Sequence, residues 1–141
     1  MEQNRIDFGN FNQLSYSVAD QLIQNLKNEI HKVDLVIINE QVISGIHTDY
    51  FKQKLVELIQ QFPDKKFIVD SRNYSDFYDG AYRKMNDTEA ANLAGIKKDP
   101  SDMVLYSEVK TAAKTLFERF KKPLFVTRGD RGSLIIDENG I

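Results

Sequence analysis

The chain has 141 residues, 41% of them hydrophobic, with 19 Lys and Arg against 21 Asp and Glu for a net charge of -2, the size and mixture of one globular domain over residues 1–141. That charge excludes the basic footprint of a nucleic-acid binder, and the lack of cysteine excludes disulfides, thiolate zinc sites and a cysteine nucleophile. No apolar run approaches the roughly 20 residues that span a bilayer, and the opening MEQNRIDFGN lacks the basic-then-apolar order of a signal peptide. The expected setting is a reducing cytoplasm, without a membrane or nucleic-acid partner.

From Ser15 onward, Leu22, Ile23, Leu26 and Ile30 fall on one helical face, with Ser15 or Ser17 as the cap. Residues 34–39 (DLVIIN) form a short unbroken apolar run, the pattern of a central parallel strand buried on both faces. A second helix starts at Thr48 or Asp49, carries Phe51, Leu55, Leu58, Ile59 and Phe62 on one stripe, and ends at Pro63. Residues 66–70 (KFIVD) read as the next buried strand. After the loop SRNYSDFYDG come a short strand at 82–85 and a short helix at 87–93, closed by Gly95.

A longer helix over residues 104–120 presents Val109, Ala112, Ala113, Leu116, Phe117 and Phe120 on one face. The strands PLFVT (123–127) and SLIID (133–137) flank the turn RGDRG and form a hairpin. Strands alternating with amphipathic helices predict an α/β fold: a three-layer, doubly wound, mostly parallel sheet, incomplete here, with a C-terminal hairpin. Ligands collect at the carboxyl ends of such strands, which directs attention to residues 39–45, 70–72, 86–89 and 127–132.

Two of these segments carry chemistry. Asn86-Asp87-Thr88-Glu89 is a capping box by spacing; the same spacing brings an amide and a carboxylate together where they can hold the waters of a Mg2+ ion. Thr127-Arg128-Gly129-Asp130-Arg131-Gly132 is a hairpin turn by composition. Alternatively, Gly129 and Gly132 let backbone N–H groups approach a nucleotide, with Thr127 adding a hydroxyl and Arg128 a charge. Arg72 and Asp70 face a phosphate and a hydroxyl or Mg2+ on one reading, and on the other are turn residues or a surface ion pair. His31 and His47 have no matching ligand partner and read as ordinary surface or loop residues, while Tyr74, Tyr78 and Tyr82 read as packing residues.

A strand ending in Asn-x-x-Glu, a helix, then Val-Thr-x-Gly-x-x-Gly entering a short strand resembles the ribokinase or phosphofructokinase-B family of carbohydrate kinases. Phe67-Ile68-Val69-Asp70-Ser71-Arg72 resembles that family's strand ending in Asp, and Arg5-Ile6-Asp7-Phe8 resembles the Arg-x-Asp segment of its heptose phosphate kinases. The resemblance implies the central to C-terminal portion of a sugar kinase that transfers the γ-phosphate of ATP to a hydroxyl of a sugar or sugar phosphate. It implies ATP contacts at Thr127, Arg128, Gly129, Gly132 and Arg72, and Mg2+ organised by Asn86 and Glu89, through water.

The departures from the family also set expectations. Gln41-Val42-Ile43-Ser44-Gly45 stands where heptose kinases carry Asp-Tyr-x-Lys-Gly, so the sugar contacts differ. The family's N-terminal glycine-rich signature and its Gly-Ala-Gly-Asp segment, which supplies the catalytic Asp, do not occur in these 141 residues. No catalytic base is therefore assigned, and the chain alone is expected to be inactive. The alternative is a non-catalytic nucleotide or metabolite binding module of the same fold. A sheet lacking its full cover is also expected to self-associate.

Overall fold

The computed structural model describes residues 13–40 and 45–141. The Arg-x-Asp segment at 5–8 and residues 41–44 lie outside the described residues. Helix α1 (Tyr16–Glu29) is capped by Ser15, whose hydroxyl accepts from the Val18 N–H at 3.4 Å. Ala19, Ile23 and, just beyond the helix, Ile30 are buried, with Leu26 packed against them. Leu22, expected on this stripe, lies 38% exposed: one residue is about 100° around a helix, and the face that packs is centred on Ala19 and Ile23.

Strand β1 (Leu35–Glu40) leads to α2 (Asp49–Gln61), capped by Thr48 and buried through Phe51, Leu55, Leu58 and Ile59. Then follow β2 (Lys66–Ser71), β3 (Tyr82–Asn86), α3 (Asp87–Leu93), α4 (Tyr106–Phe120), β4 (Leu124–Thr127) and β5 (Ser133–Ile136). Gly95, with φ +87°, follows the C-cap Ala94 and supplies the left-handed residue that ends α3. Helix α4 starts two residues later than expected, because Leu105 is still extended. Among the described residues no helix is long and apolar enough to cross a membrane.

The strands form one sheet in the order β1-β2-β3-β4-β5, parallel except for the antiparallel β4–β5 hairpin. The fold is thus the expected mostly parallel α/β sheet with a C-terminal hairpin. Strand β1, however, is an edge strand among the described residues rather than a central one. Its burial alternates instead of being complete, with Ile38 buried and Ile37 65% exposed.

The strand order also settles which layers are present. Right-handed crossovers between sequential neighbours, with no reversal of order, place every connecting helix on the same face. Accordingly Ile38, Phe67, Val69, Met85, Leu124, Val126, Leu134 and Ile136 are buried against the helices. The opposite face carries Ile37, Ile68, Phe125 and Ile135 around a groove of about 430 Å³. The described residues therefore supply two of the three expected layers, the sheet and the helices on one side.

Under the helices the core is divided. One cluster joins α1, α2, β1 and β2 with Tyr78 and Ala81; the other joins β3, β4 and β5 with α3 and α4. The connection from β2 to β3 (residues 72–81) is a run of turns, and Arg83 fills the seam. Its guanidinium, 1% exposed by residue, donates to the carbonyls of Ser75 (2.6 Å), Ala81 (2.8 Å) and Tyr78 (3.1 Å) and lies 3.5 Å from the centre of the Phe120 ring. Burial pulls its pKa down to about 10, which leaves it charged at neutral pH.

Arg83→Met keeps the aliphatic volume but strands the Ser75 and Ala81 carbonyls, while the Tyr78 carbonyl still accepts from the Ala81 N–H at 3.3 Å. Each unsatisfied group costs about 1–3 kcal/mol, so the loss is expected to total about 2 kcal/mol or more. It is read as a lower urea midpoint at unchanged slope. An unchanged midpoint would refute the role given to Arg83.

Candidate functional site

The carboxyl ends of β1, β2, β3 and β4 lie side by side, and the polar residues expected there sit on them. At the end of β3, Asn86 caps α3. Its side-chain oxygen accepts from the Glu89 N–H at 2.8 Å, and Glu89 Oε2 accepts from the Asn86 N–H at 2.8 Å. The capping box is thus formed. Asn86 and Glu89 line a cavity of about 620 Å³ together with Arg72, Asn73, Asp76, Thr88 and Asn92. Arg72 Nε lies 3.9 Å from Glu89 Oε1, and the Arg72 side chain is 79% exposed. The ion-pair reading holds, in a solvated geometry that leaves the guanidinium free to move.

Thr127 pairs with Asn86 in the β3–β4 register, so the two motifs start on directly neighbouring residues. Its hydroxyl donates to the Met85 carbonyl at 3.4 Å, and its side chain borders the open-face groove with Asp70 and Lys84, which pair at 2.9 Å. Thr127 and Arg72 therefore line different cavities. The following turn is the expected hairpin connection, tightened by a single 3-10 turn at Gly129–Arg131 and closed by the Arg128 N–H bonding to the Gly132 carbonyl at 2.8 Å.

Gly129 (φ +60°) and Gly132 (φ +83°) are required by their backbone conformation, and a Cβ at either would meet nothing within 4 Å among the described residues. The turn thus presents open backbone, as a ligand-facing loop needs. Arg128 stacks 5.2 Å from the centre of the Tyr106 ring, and its Nε is buried without a hydrogen-bond partner among the described residues.

Two residues not singled out as site residues in the sequence join these motifs. Arg131 donates to Asp87 Oδ2 at 2.8 Å and to the Val104 carbonyl at 3.2 Å. Asp87, the first residue of α3, is nearly buried. Both residues lie inside the motifs, but their separation by 44 positions hides the pairing from any local pattern.

At the ends of β1 and β2, buried Glu40 accepts from the Ser71 hydroxyl (2.8 Å), the Asn73 N–H (3.1 Å) and the Asn73 amide (3.0 Å). Burial raises its pKa, but these bonds together outweigh burial and hold the carboxyl below its ordinary value. His47, read as an ordinary surface or loop residue, lies in the loop before α2 and is buried there. Its Nε2 contacts the Asn39 carbonyl at 3.3 Å and its Nδ1 the Tyr78 hydroxyl at 2.5 Å. A carbonyl can only accept, so Nε2 carries the proton and Tyr78 donates to Nδ1. Burial pushes the imidazole below its ordinary pKa; the Asn39 bond and Glu40 oppose that shift, and Lys52 adds to it.

No protein-family model and no curated protein matches the chain. Among solved structures it is similar to a candidate phosphofructokinase from Staphylococcus aureus, with TM-score 0.62 and 20% identity over 90% of this chain and 40% of that one. It is similar also to the pyridoxal kinase from Staphylococcus aureus solved in complex with pyridoxal, with TM-score 0.60 and 16% identity over 84% of this chain and 48% of that one. The fold is ribokinase-like. The chain spans less than half the length of each of these ribokinase-like structures, and both of the motifs singled out in its sequence fall on the carboxyl edge of its sheet.

The neutral, buried His47 gives a pH dependence with a definite sign. A folded-state pKa below the ordinary 6.5 means that the unfolded chain binds the extra proton, so stability is full above that value and declines as pH falls through the folded pKa. Glu40, also depressed, loses its contribution only below its ordinary 4.5. Urea midpoints of the wild type are expected to begin falling near pH 6.5, while His47→Gln removes this first decline and keeps the second. Superimposable profiles would rule out the buried histidine as its source.

Proposed function

We propose that the chain is the nucleotide-handling part of a cytoplasmic ribokinase-like kinase that transfers the γ-phosphate of ATP to a hydroxyl of a sugar or sugar phosphate with Mg2+. The observation that carries this reading is the pairing of Asn86 with Thr127 at adjacent strand ends. It sets the α3 cap and the glycine turn beside each other where α/β sheets bind ligands.

The donors present suit Mg2+ held through water, since Mg2+ dehydrates reluctantly and takes only one or two protein carboxylates besides phosphate oxygens. Glu89 Oε1 and the Asn86 amide would hold that hydration shell, and the ion would supply neutralisation of phosphate charge. Thr127, the turn amides at Gly129 and Gly132, and the cations Arg128 and Arg72 bind and orient the polyphosphate. Such positioning and charge stabilisation make up most of the catalysis of phosphoryl transfer. The resemblance to heptose phosphate kinases in the sequence favours a sugar phosphate as acceptor.

A second reading, a nucleotide-binding module without catalysis, is favoured by the carboxylates themselves. Glu89 is engaged in the cap, Asp87 with Arg131 and Asp70 with Lys84, so none is positioned as a general base. Both readings require a nucleotide site. Calorimetric titration with ATP and Mg2+ is expected to give measurable binding, weakened about tenfold or more in Asn86→Ala and Gly129→Val. Absence of binding in the wild type at millimolar nucleotide would dismiss both.

The open sheet face supports self-association, since Ile37 and Ile135 are 65% and 51% exposed beside Ile68 and Phe125. Sedimentation velocity is expected to show concentration-dependent oligomers that Ile37→Lys with Ile135→Lys reduces. A compact wild-type monomer at high concentration would count against this.

A further inference from the structure

Three arginines stand near the proposed nucleotide site, and their surroundings differ. Arg72 is solvated, with one long contact to Glu89. Arg128 lies over Tyr106, its Nε without a hydrogen-bond partner among the described residues. Arg131 is committed: its guanidinium binds Asp87 Oδ2 at 2.8 Å through Nη2 and the Val104 carbonyl at 3.2 Å through Nη1. Those two acceptors belong to the first turn of α3 and to the segment before α4. One side chain of the glycine turn therefore ties together three segments that are far apart in the sequence.

We infer that Arg131 is a positioning residue: its bridge to Asp87 locks the 129–132 turn to the Asn86–Glu89 cap, so that the amides of the turn and the carboxylate of the cap face a bound nucleotide as one rigid unit. The inference rests on the nucleotide-site reading above for its ligand, and on geometry alone for the coupling. Two features make the bridge more than a surface ion pair. The Asp87 side chain is 11% exposed, so its charge is poorly screened and its partner matters. Its other oxygen accepts from the Thr88 N–H at 3.0 Å, inside the capping box, so a pull on Asp87 is felt by the cap.

Electrostatics gives the bridge a second consequence. Asp87 stands next to Asn86, where a polyphosphate would approach, and an unpaired carboxylate there would repel it. Arg131 cancels that charge and is itself held away from the ligand. The cations left to meet phosphate are Arg128 and Arg72. Lysine at 131 reaches Asp87 as a point charge but lacks the planar fork that serves both acceptors. It should restore the charge balance and only part of the rigidity.

The test compares wild type, Arg131→Ala, Arg131→Lys and Asp87→Asn by amide hydrogen exchange and by titration with ATP and Mg2+. The informative amides are Glu89, which donates to Asn86, and Arg128, which donates to Gly132; Val69 in β2 is the reference. In Arg131→Ala, exchange at Glu89 and Arg128 is expected to rise together by about tenfold with Val69 unchanged, and affinity to fall by a similar factor. Arg131→Lys recovers part of both, and Asp87→Asn loosens the Glu89 amide while leaving no repelling charge.

A rise confined to the turn, with Glu89 as protected as in wild type, would overturn the coupling. A parallel rise at Val69 would mean general destabilisation and would equally overturn it. Should Arg131→Ala not fold, the lysine and Asp87→Asn variants decide the matter by the same amides. If wild type binds no nucleotide, the nucleotide reading falls, and the exchange data still judge the bridge.

Discussion

The connection from β2 to β3 lacks the helix that usually covers a parallel crossover, and the helical layer would gape there without Arg83. A charged group is placed in the core because turns, unlike helices, leave carbonyls pointing inward. Those of Ser75, Tyr78 and Ala81 converge on the seam between two apolar clusters. An apolar filler would close the gap and leave the Ser75 and Ala81 acceptors unpaired, which costs more than it gains. The guanidinium satisfies all three, and its flat face packs on Phe120. Because the 72–81 connection is pinned from beneath, the end of β2, with Ser71, Arg72 and Asn73, has a defined position at the carboxyl edge.

That edge serves two purposes in competition. Strand ends and helix starts leave backbone groups unpaired, and the side chains nearest to them are drawn into satisfying those groups first. Asn86 and Glu89 bind each other's backbone, Glu40 collects donors from the following loop, and His47 and Tyr78 fasten residue 39. What remains for a ligand is the second valence of each group: the Asn86 amide, one Glu89 oxygen, the amides of the turn. A cap and a ligand site use opposite sides of the same residues, so the two readings of Asn86 and Glu89 are compatible in the folded chain.

Much of this was legible in the sequence, and the reasons differ by element. Helices α2 and α4 and strands β2, β4 and β5 follow from period and caps, because one buried face imposes a regular pattern. Residues 34–39 misled in one respect: an unbroken apolar run reads as a strand buried on both sides, yet Ile37 faces the open side of the sheet. Hydrophobicity records what a face tolerates and is silent on what covers it. His47 reads as a surface or loop residue and does lie in a loop, but its burial was not legible, because a lone histidine has no local signature of burial; its partners Asn39 and Tyr78 lie 8 and 31 positions away. Arg131 and Asp87 stayed hidden for the same reason, at 44 positions.

The strand order links these observations. A sheet that adds each parallel strand on the same side of the last one, always with the same hand of crossover, must gather its helices on one face. The side chains of β1 to β5 that point the other way then share a single surface, where Ile37, Ile68, Phe125 and Ile135 surround the Lys84–Asp70 ion pair and reach Thr127. The polar carboxyl edge and the apolar open face thus meet at one residue of β4. Thr127 opens the glycine turn with its backbone while its side chain belongs to the uncovered face. Whatever fills the groove on that face therefore meets Thr127, the residue from which the turn begins, so cover of the groove and order of the turn are physically linked.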